Sequence, residues 1–278
     1  MTEREATAQP GIAPTARPTA GTMFAALYGE LVPYAGHVLD SEHDAYQLFH
    51  QRSLAMGWLE QQTAGGPGLW AMNDAGWTHP QAGPGAGLVS WFQVEAGAVT
   101  AERPLPVQPF LRCAQDATAR IGTVRLTSVQ LLLPVQGLHP AARPAYAAVP
   151  SMGTVHWFGE RDPAGKTLVD VHINSGRATS IPAVARQLAD DLAELEQDVF
   201  KCGERDVIVR GDAPAPLFHD SFWNGPPLHG MTLSGELAEW SCDAIGWLAE
   251  TAADCAARLG VGSPLLLTVT AHSDAEGL

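Results

Sequence analysis

The sequence predicts an α+β fold with an internal duplication, in which antiparallel sheets carry helices on one face. Residues 109–135 and 246–270 share one plan: an alanine-rich amphipathic helix followed by a strand with three successive leucines. Both helices also end on nearly the same residues, Arg120–Gly122 and Arg258–Gly260. The chain has 278 residues and is 46% hydrophobic, which is enough for two packed halves.

The first half is predicted to span residues 22–135. It follows a tail, residues 1–21, that we expect to be disordered because it is rich in Ala, Thr and Pro. A capping box at Ser41–Asp44 opens the first helix. The predicted elements are a strand or short helix at 23–34, a helix from Ala45, strands at 69–72 and 87–95, a helix at 109–121 and a strand at 123–134.

The second half is predicted to span residues 152–278, after a Pro/Ala-rich linker at 136–151. Ser180 and Pro182 have the chemistry of a helix start. The predicted elements are strands at 152–159 and 167–174, a helix at 181–202, strands at 206–210 and 228–233, a helix at 236–259 capped by Ser234 and a strand at 264–271.

The order of these elements indicates the type of unit. Without the loops, the second half is ββαββαβ, and the first half is βαββαβ if residues 23–34 are extended. Both orders of helices and strands contain the split βαβ unit, so we predict two ferredoxin-like halves. Each sheet would have one face covered by helices and one open face. Two open faces pressed together would enclose a cavity for a ligand.

The composition excludes several classes of partner. The net charge of −14 and the absence of a Lys/Arg cluster argue against nucleic acid and against anionic membrane surfaces. No leader or membrane-spanning stretch is evident, so we expect a soluble cytoplasmic protein. The four cysteines are widely spaced and are expected to be free thiols. The sequence gives no indication of oligomeric state.

Strand 167–174 supplies the first group of candidate site residues. Its alternation places three apolar residues on one face and Asp170, His172 and Asn174 on the other. His156 or Trp157 of the preceding strand joins them, depending on the register. A carboxylate beside an imidazole suits acid–base chemistry because it fixes the tautomer and raises the basicity. The alternative is a solvated sheet face without a function.

The loop at 217–225 supplies the second group. It combines a His219-Asp220 pair with Trp223 and Asn224, and His229 lies just beyond it. Long loops that carry aromatic and polar residues often close over ligands. The alternative is a loop that its aromatic residues pin to the core.

No motif indicates a cofactor. Residues 159–167 nearly match a phosphate-binding loop, but the spacing is wrong and a strand follows where a helix is needed. The helices of the second half contain no histidine for haem, and the chain has no Gly-rich dinucleotide fingerprint. No metal-ligand motif is present. We therefore predict no cofactor and no metal.

These observations lead to two hypotheses about function. The first is a cofactor-independent enzyme of the isomerase, cyclase or oxygenase type that acts on an apolar or aromatic small molecule in specialised metabolism. His172 or His219 would be the acid–base group, Asp170 or Asp220 its partner, and Asn174 or Asn224 the donor to an enolate or carbonyl oxygen. The other substrate-binding candidates are His156, Trp157, Trp223 and His229. The alternative is a non-catalytic scaffold, immunity or regulatory protein that binds another protein.

Overall fold

The computed structural model describes residues 19–35, 44–60, 68–78, 80–85, 87–99, 104–138, 165–195, 198–206 and 215–272. They form an α+β fold with one eight-stranded antiparallel sheet. The strands are β1 Thr19–Pro33, β2 Trp70–Gly76, β3 Leu88–Gly97, β4 Gly122–Leu133, β5 Thr167–Asn174, β6 Phe200–Asp206, β7 Gly230–Leu237 and β8 Leu265–Ala271. The α-helices within these ranges are α1 Ala45–Ala55, α2 Val107–Ala119, α3 Ser180–Glu194 and α4 Cys242–Arg258.

The two halves of the chain lie side by side in this sheet. The strand order is β2-β3-β1-β4-β8-β5-β7-β6, so the last strand of each half meets the other at the centre. The leucine runs 131–133 and 265–267 pair with each other across this junction. The expectation that two open sheet faces press together is therefore wrong: the halves join edge to edge, because strand pairing satisfies the backbone groups that an edge leaves exposed.

The main core lies between one face of the sheet and the four helices. Alternate strand residues such as Ala25, Leu131, Leu267, Ile173 and Met231 occupy one row across the sheet and are buried beneath the helices. Helices α2 and α4 pack against each other at the centre, with α1 and α3 on their outer sides. This arrangement explains why β5 is apolar on one face only.

A smaller core lies on the opposite face of the first half. Phe24, Trp91 and Leu132 are buried there beneath Leu217 and Phe218 of the loop before β7. The Phe24 ring meets the Phe218 ring edge to face, with 4.9 Å between the centroids. A loop of the second half thus covers the sheet of the first half.

The predicted helix at 181–202 is too long. Helix α3 ends at Glu194, and Leu195 already has an extended backbone. Phe200 begins β6, pairs with Leu237 and is only 1% exposed. Sheet pairing and burial of Phe200 outweigh the helical spacing of the sequence, a tertiary effect that local periodicity does not contain.

The predicted helix at 236–259 begins too early. Strand β7 continues to Leu237, and the helix cap is Ser241, whose hydroxyl accepts from the Ala244 amide at 3.1 Å. Ser234 lies within the strand. Its neighbours Leu233 and Gly235 are buried, which is the alternation of a paired strand.

Helices α2 and α4 approach each other most closely at Gly246. A side chain at that position would lie 2.5 Å from the Cα atom of Gln108, so glycine permits the contact between the two halves. The carboxylate of Glu250, which is 3% exposed, accepts a hydrogen bond from the Gln108 amide at 2.9 Å. An α4 side chain thereby caps the first turn of α2.

Several predictions fall outside the described residues. They concern strand 152–159, residues 1–18 of the tail and residues 139–151 of the linker. Of the remaining residues, Thr19–Gly21 begin β1, and Val135–Gly137 form a short 3-10 helix.

Candidate functional site

The candidate site lies on the face of the second half that the four helices of the described residues leave uncovered. Val169, Val171 and Ile173 of β5 point into the main core, so Asp170 and His172 project from the opposite face. We call the following group the polar face: Ser128, Asp170, His172, Thr232, Ser234, Thr270 and His272. All of them are partly or fully exposed.

Strand pairing brings hydroxyl groups to both sides of the two β5 residues. His172 lies between Thr268 of β8 and Thr232 of β7. In the next row, Asp170 lies between Thr270 and Ser234. Directly opposite residues in an antiparallel sheet are close enough for their side chains to interact. The register therefore places these candidates among hydroxyl groups.

His172 has a hydroxyl partner where the sequence analysis expected a carboxylate. Its Nδ1 atom lies 3.0 Å from the Thr232 hydroxyl oxygen. Burial lowers the pKa of His172 below its usual value, and the nearby charge of Asp170 opposes this shift without cancelling it. The imidazole is therefore neutral at neutral pH and has a nitrogen lone pair that can accept a proton.

Asp170 is held on both oxygens. Its Oδ1 atom accepts from the Ser234 hydroxyl at 2.6 Å, and its Oδ2 atom lies 2.9 Å from Nε2 of His272. Burial acts to raise the pKa of Asp170, but these hydrogen bonds and the neighbouring imidazoles outweigh it, so the pKa lies below its usual value. Asp170 is thus an oriented, ionised carboxylate at neutral pH.

His272 is a site residue that was not predicted from the sequence. A signal was present, because Thr268, Thr270 and His272 alternate along β8 as Asp170 and His172 do along β5. The strand order that places β8 beside β5 was needed to bring this histidine to Asp170. The His272 backbone amide also donates to the Leu168 carbonyl at 2.9 Å, which fixes the end of β8 against β5.

The polar face continues across the junction between the two halves. The Ser128 and Thr270 hydroxyl oxygens are 3.2 Å apart, and the Gln130 side-chain amide donates to the Thr268 hydroxyl at 3.2 Å. Gln130 and Thr268 are 0% and 2% exposed. Gln130 and Thr268 are therefore buried polar side chains beside the partly exposed Ser128 and Thr270. A ligand cannot reach them directly.

Asn174 and Asn224 have structural roles at the turn after β5. The Asn174 side-chain oxygen accepts from the Gly176 amide at 2.7 Å, and the Asn224 side-chain amide donates to the Ser175 carbonyl at 3.1 Å. The backbone of His229 pairs with Ser175 and Gly176 in the same turn. These contacts join the loop before β7 to the Asn174 end of β5.

His219 and Asp220 lie in that loop, where each contacts a different residue. Nδ1 of His219 accepts from the Ser221 amide at 3.1 Å. Asp220 lies 4.0 Å from the Arg177 guanidinium. Trp223 packs edge to face on Phe218, next to the smaller core. The loop is thus pinned by its aromatic residues at one end of β5, whereas His272 lies near the other end. The candidates His156 and Trp157 lie outside the described residues.

Two cavities bounded by described residues lie elsewhere. The larger, about 470 Å³, is a groove between α1 and α2 that contains Arg52, Asp116 and Arg120. Arg52 is paired with Asp116 at 2.7 Å and lies over the Trp58 ring. Since the pair neutralises its own charge, we place the candidate site at the polar face, where an ionised carboxylate adjoins two imidazoles.

Within the described part of the chain, no group of three or more His, Cys, Asp or Glu side chains is arranged to hold a metal ion. No helix in those residues is long and apolar enough to cross a bilayer. All four cysteines are free thiols. Comparison with protein-family models and with curated protein sequences found no match.

Proposed function

We propose that the protein is an acid–base enzyme that acts on a small molecule bound at the polar face. The observation that carries the proposal is the neutral imidazole of His172 on the same strand face as the ionised carboxylate of Asp170. A neutral base and a fixed negative charge on a rigid strand are the groups needed to remove a proton and stabilise the cation that results.

The hydroxyl group of Thr232 supports this role for His172. Its contact with Nδ1 restricts rotation of the ring and leaves Nε2 for a substrate. The Ser128 hydroxyl donates to the Val269 carbonyl at 3.0 Å and lies 3.2 Å from the Thr270 hydroxyl, so these two groups can accept hydrogen bonds from a substrate. Asn174 and Asn224 are used in the turn, so the Thr232 hydroxyl replaces them as our candidate donor to an enolate or carbonyl oxygen. When it accepts from Nδ1–H of His172, its own hydrogen remains available.

An aromatic or apolar part of the substrate has contacts at the borders of the polar face. Tyr28 lies opposite Ser128, and burial raises the pKa of its hydroxyl to about 12, so the ring stays neutral. Leu168 lies two residues from Asp170 on the same strand face and is 59% exposed. We propose that the enzyme needs no cofactor and acts in the cytoplasm, as the sequence leads us to expect.

Proton transfer at carbon gives a test that does not require the natural substrate. The protein is incubated in D₂O with a panel of aryl ketones, and exchange of their acidic C–H protons is followed by ¹H NMR. Wild-type protein should accelerate exchange for at least one compound, and His172→Gln should slow it by about 100-fold, the contribution typical of a general base.

His50→Gln is the matched control, because His50 lies on α1 and stacks on Tyr46 away from the polar face. It should exchange the ketones at the wild-type rate. If no compound exchanges faster with wild-type protein than in buffer, the proposed function fails. If His219→Gln abolishes exchange and His172→Gln does not, the site is in the loop and the assignment of His172 is wrong.

A protein-binding role is the second candidate. It is favoured by Phe222 and Leu228, which are 41% and 38% exposed in the loop before β7. Apolar side chains at a loop surface are common in protein interfaces. Double substitution of Phe222 and Leu228 by Ser would abolish binding of a partner protein without affecting ketone exchange, so the two functions can be separated.

We also propose that the two halves are ferredoxin-like units related by duplication. In support, the order β2-β3-β1-β4 in the first half corresponds element by element to β6-β7-β5-β8 in the second. Each half also carries one helix after its first strand and one after its third. The β4–β8 junction would then be the place where two equivalent edges meet.

The positions of the contacts between the halves agree with this relation. The same number of residues separates Arg120 from Arg258, Gln108 from Gly246 and Gln130 from Thr268. Gln108 meets Gly246 at the helix crossing, and Gln130 pairs with Thr268 in the sheet. Equivalent residues that meet each other lie on a two-fold axis. Residues 1–150 and 151–278, expressed together as two chains, should associate into one folded complex; two chains that stay apart would count against the proposal.

A further inference from the structure

We infer that His272 is a second acid–base group of the site, oriented by Asp170 to hold its proton on Nε2 and to offer Nδ1 to a substrate. This inference rests on the proposed function and extends it to a residue that the sequence analysis did not identify. The observation behind it is the 2.9 Å contact between Nε2 of His272 and Oδ2 of Asp170.

Asp170 is a suitable partner because its position is fixed. The Ser234 hydroxyl donates to Oδ1 at 2.6 Å, so the carboxylate cannot rotate without breaking one of its two contacts. The His272 backbone is fixed as well, through the hydrogen bond of its amide to the Leu168 carbonyl. Both members of the pair are thus held by neighbouring strands, which is the rigidity that a proton-transfer group requires.

The contact determines the tautomer of His272. An ionised carboxylate can only accept hydrogen bonds, so a neutral imidazole must place its hydrogen on Nε2. Nδ1 then has a free lone pair, and the carboxylate stabilises the imidazolium that forms when Nδ1 takes a proton. The side chain of His272 is 44% exposed, so a small molecule can reach it.

His272 and His172 serve different atoms of the substrate. His272 follows β8 opposite Leu168, whereas His172 lies four residues further along β5. At about 3.4 Å per residue, this spacing separates their backbones by roughly 14 Å along the strand. The imidazoles are too far apart to share a proton, and Asp170 lies between them. The Asp170 carboxylate is therefore the charged group that lies near both imidazole rings.

The tautomer can be measured without any ligand. In protein labelled with ¹⁵N-histidine, the long-range ¹H–¹⁵N spectrum of the neutral imidazole should show His272 with a protonated Nε2 and an unprotonated Nδ1. Its Nε2 proton should be protected from exchange with water, and Asp170→Asn should abolish that protection. Rapid exchange of this proton in wild-type protein, or an Nδ1–H tautomer, would overturn the inference.

The ketone-exchange assay tests whether the pair takes part in proton transfer. With a compound that wild-type protein exchanges, His272→Gln and Asp170→Asn should each slow exchange by about 100-fold, and the double variant should lose little more, because the two residues act as a unit. If the His272→Gln variant exchanges the ketone protons at the wild-type rate, the inference is wrong, whereas the role of His172 stands. If no compound is exchanged by wild-type protein, the proposed function fails, and this inference fails with it.

Discussion

Substitution of Gly246 by alanine should weaken the contact between the two halves of the protein. Gly246 lies on α4 where it crosses α2, and a Cβ atom built there would be 2.5 Å from the Cα atom of Gln108 and 3.1 Å from its amide nitrogen. These are backbone atoms, so they cannot rotate away as the end of a flexible side chain would. The helices themselves would have to separate.

The structure gives the size of the effect. Non-bonded carbon atoms settle at roughly 3.5–4.0 Å, so α2 and α4 would have to move apart by about 1 Å. Such overpacking costs about 1–3 kcal/mol. The separation would also stretch the hydrogen bond from the Gln108 amide to the buried Glu250 carboxylate. Alanine regains about 1 kcal/mol of helix propensity. Because the stretched hydrogen bond costs about 1 kcal/mol and offsets this gain, we expect a net loss of about 1–3 kcal/mol in the free energy of unfolding.

Urea denaturation followed by tryptophan fluorescence measures this loss. Gly262→Ala is the matched control, because no atom lies within 4 Å of a Cβ there and its backbone is not strained. The control should stay within about 0.5 kcal/mol of the wild-type protein. If Gly246→Ala is as stable as wild-type protein, the close helix crossing does not exist and our account of the interface between the halves is wrong.

Three further predictions concern the loop, the turn and the polar face. Phe218→Ala should destabilise the protein by about 3 kcal/mol because Phe218 is buried in the smaller core, whereas the exposed Phe222→Ala should cost under about 1 kcal/mol. If thermal denaturation shows equal losses for both variants, Phe218 does not hold the loop on the sheet. Asn174→Ala should lower the free energy of unfolding by about 1–3 kcal/mol because it leaves the buried Gly176 amide without its acceptor. A variant as stable as wild-type protein in urea titration would disprove this. Burial lowers the pKa of His172 below the value of 6.5 that it has in the unfolded state. As the pH falls, the unfolded state therefore binds a proton before the folded state does. The protein loses stability between pH 6.5 and the lower pKa of the folded state. His172→Gln should flatten this part of the profile in urea titrations at about pH 7 and about pH 5.5, and a slope as steep as that of wild-type protein would refute the assignment.

Local patterns in the sequence are enough to predict the α+β class and most of the helices and strands. Strand β5 was predicted at 167–174 and lies at Thr167–Asn174, because its strict alternation matches a strand with one buried face. The helix predicted at 109–121 lies at Val107–Ala119, since its apolar spacing matches one buried helix face. The same alternation placed Asp170 and His172 on one face. These are local patterns, in which neighbouring residues contain the whole signal.

The contacts between distant residues depend on how the strands and helices pack together. The β4–β8 junction joins the halves by their edges, and strand order is not visible in any local pattern. Residues 199–202 are predicted from the sequence to belong to a helix, but Phe200 is a strand residue that pairs with Leu237. Asp170 pairs with His272 rather than with His172, because residues 170 and 172 are two positions apart on one strand while β8 brings His272 within hydrogen-bonding distance. A contact between distant segments depends on the packing of all the elements between them, which a single sequence does not specify position by position.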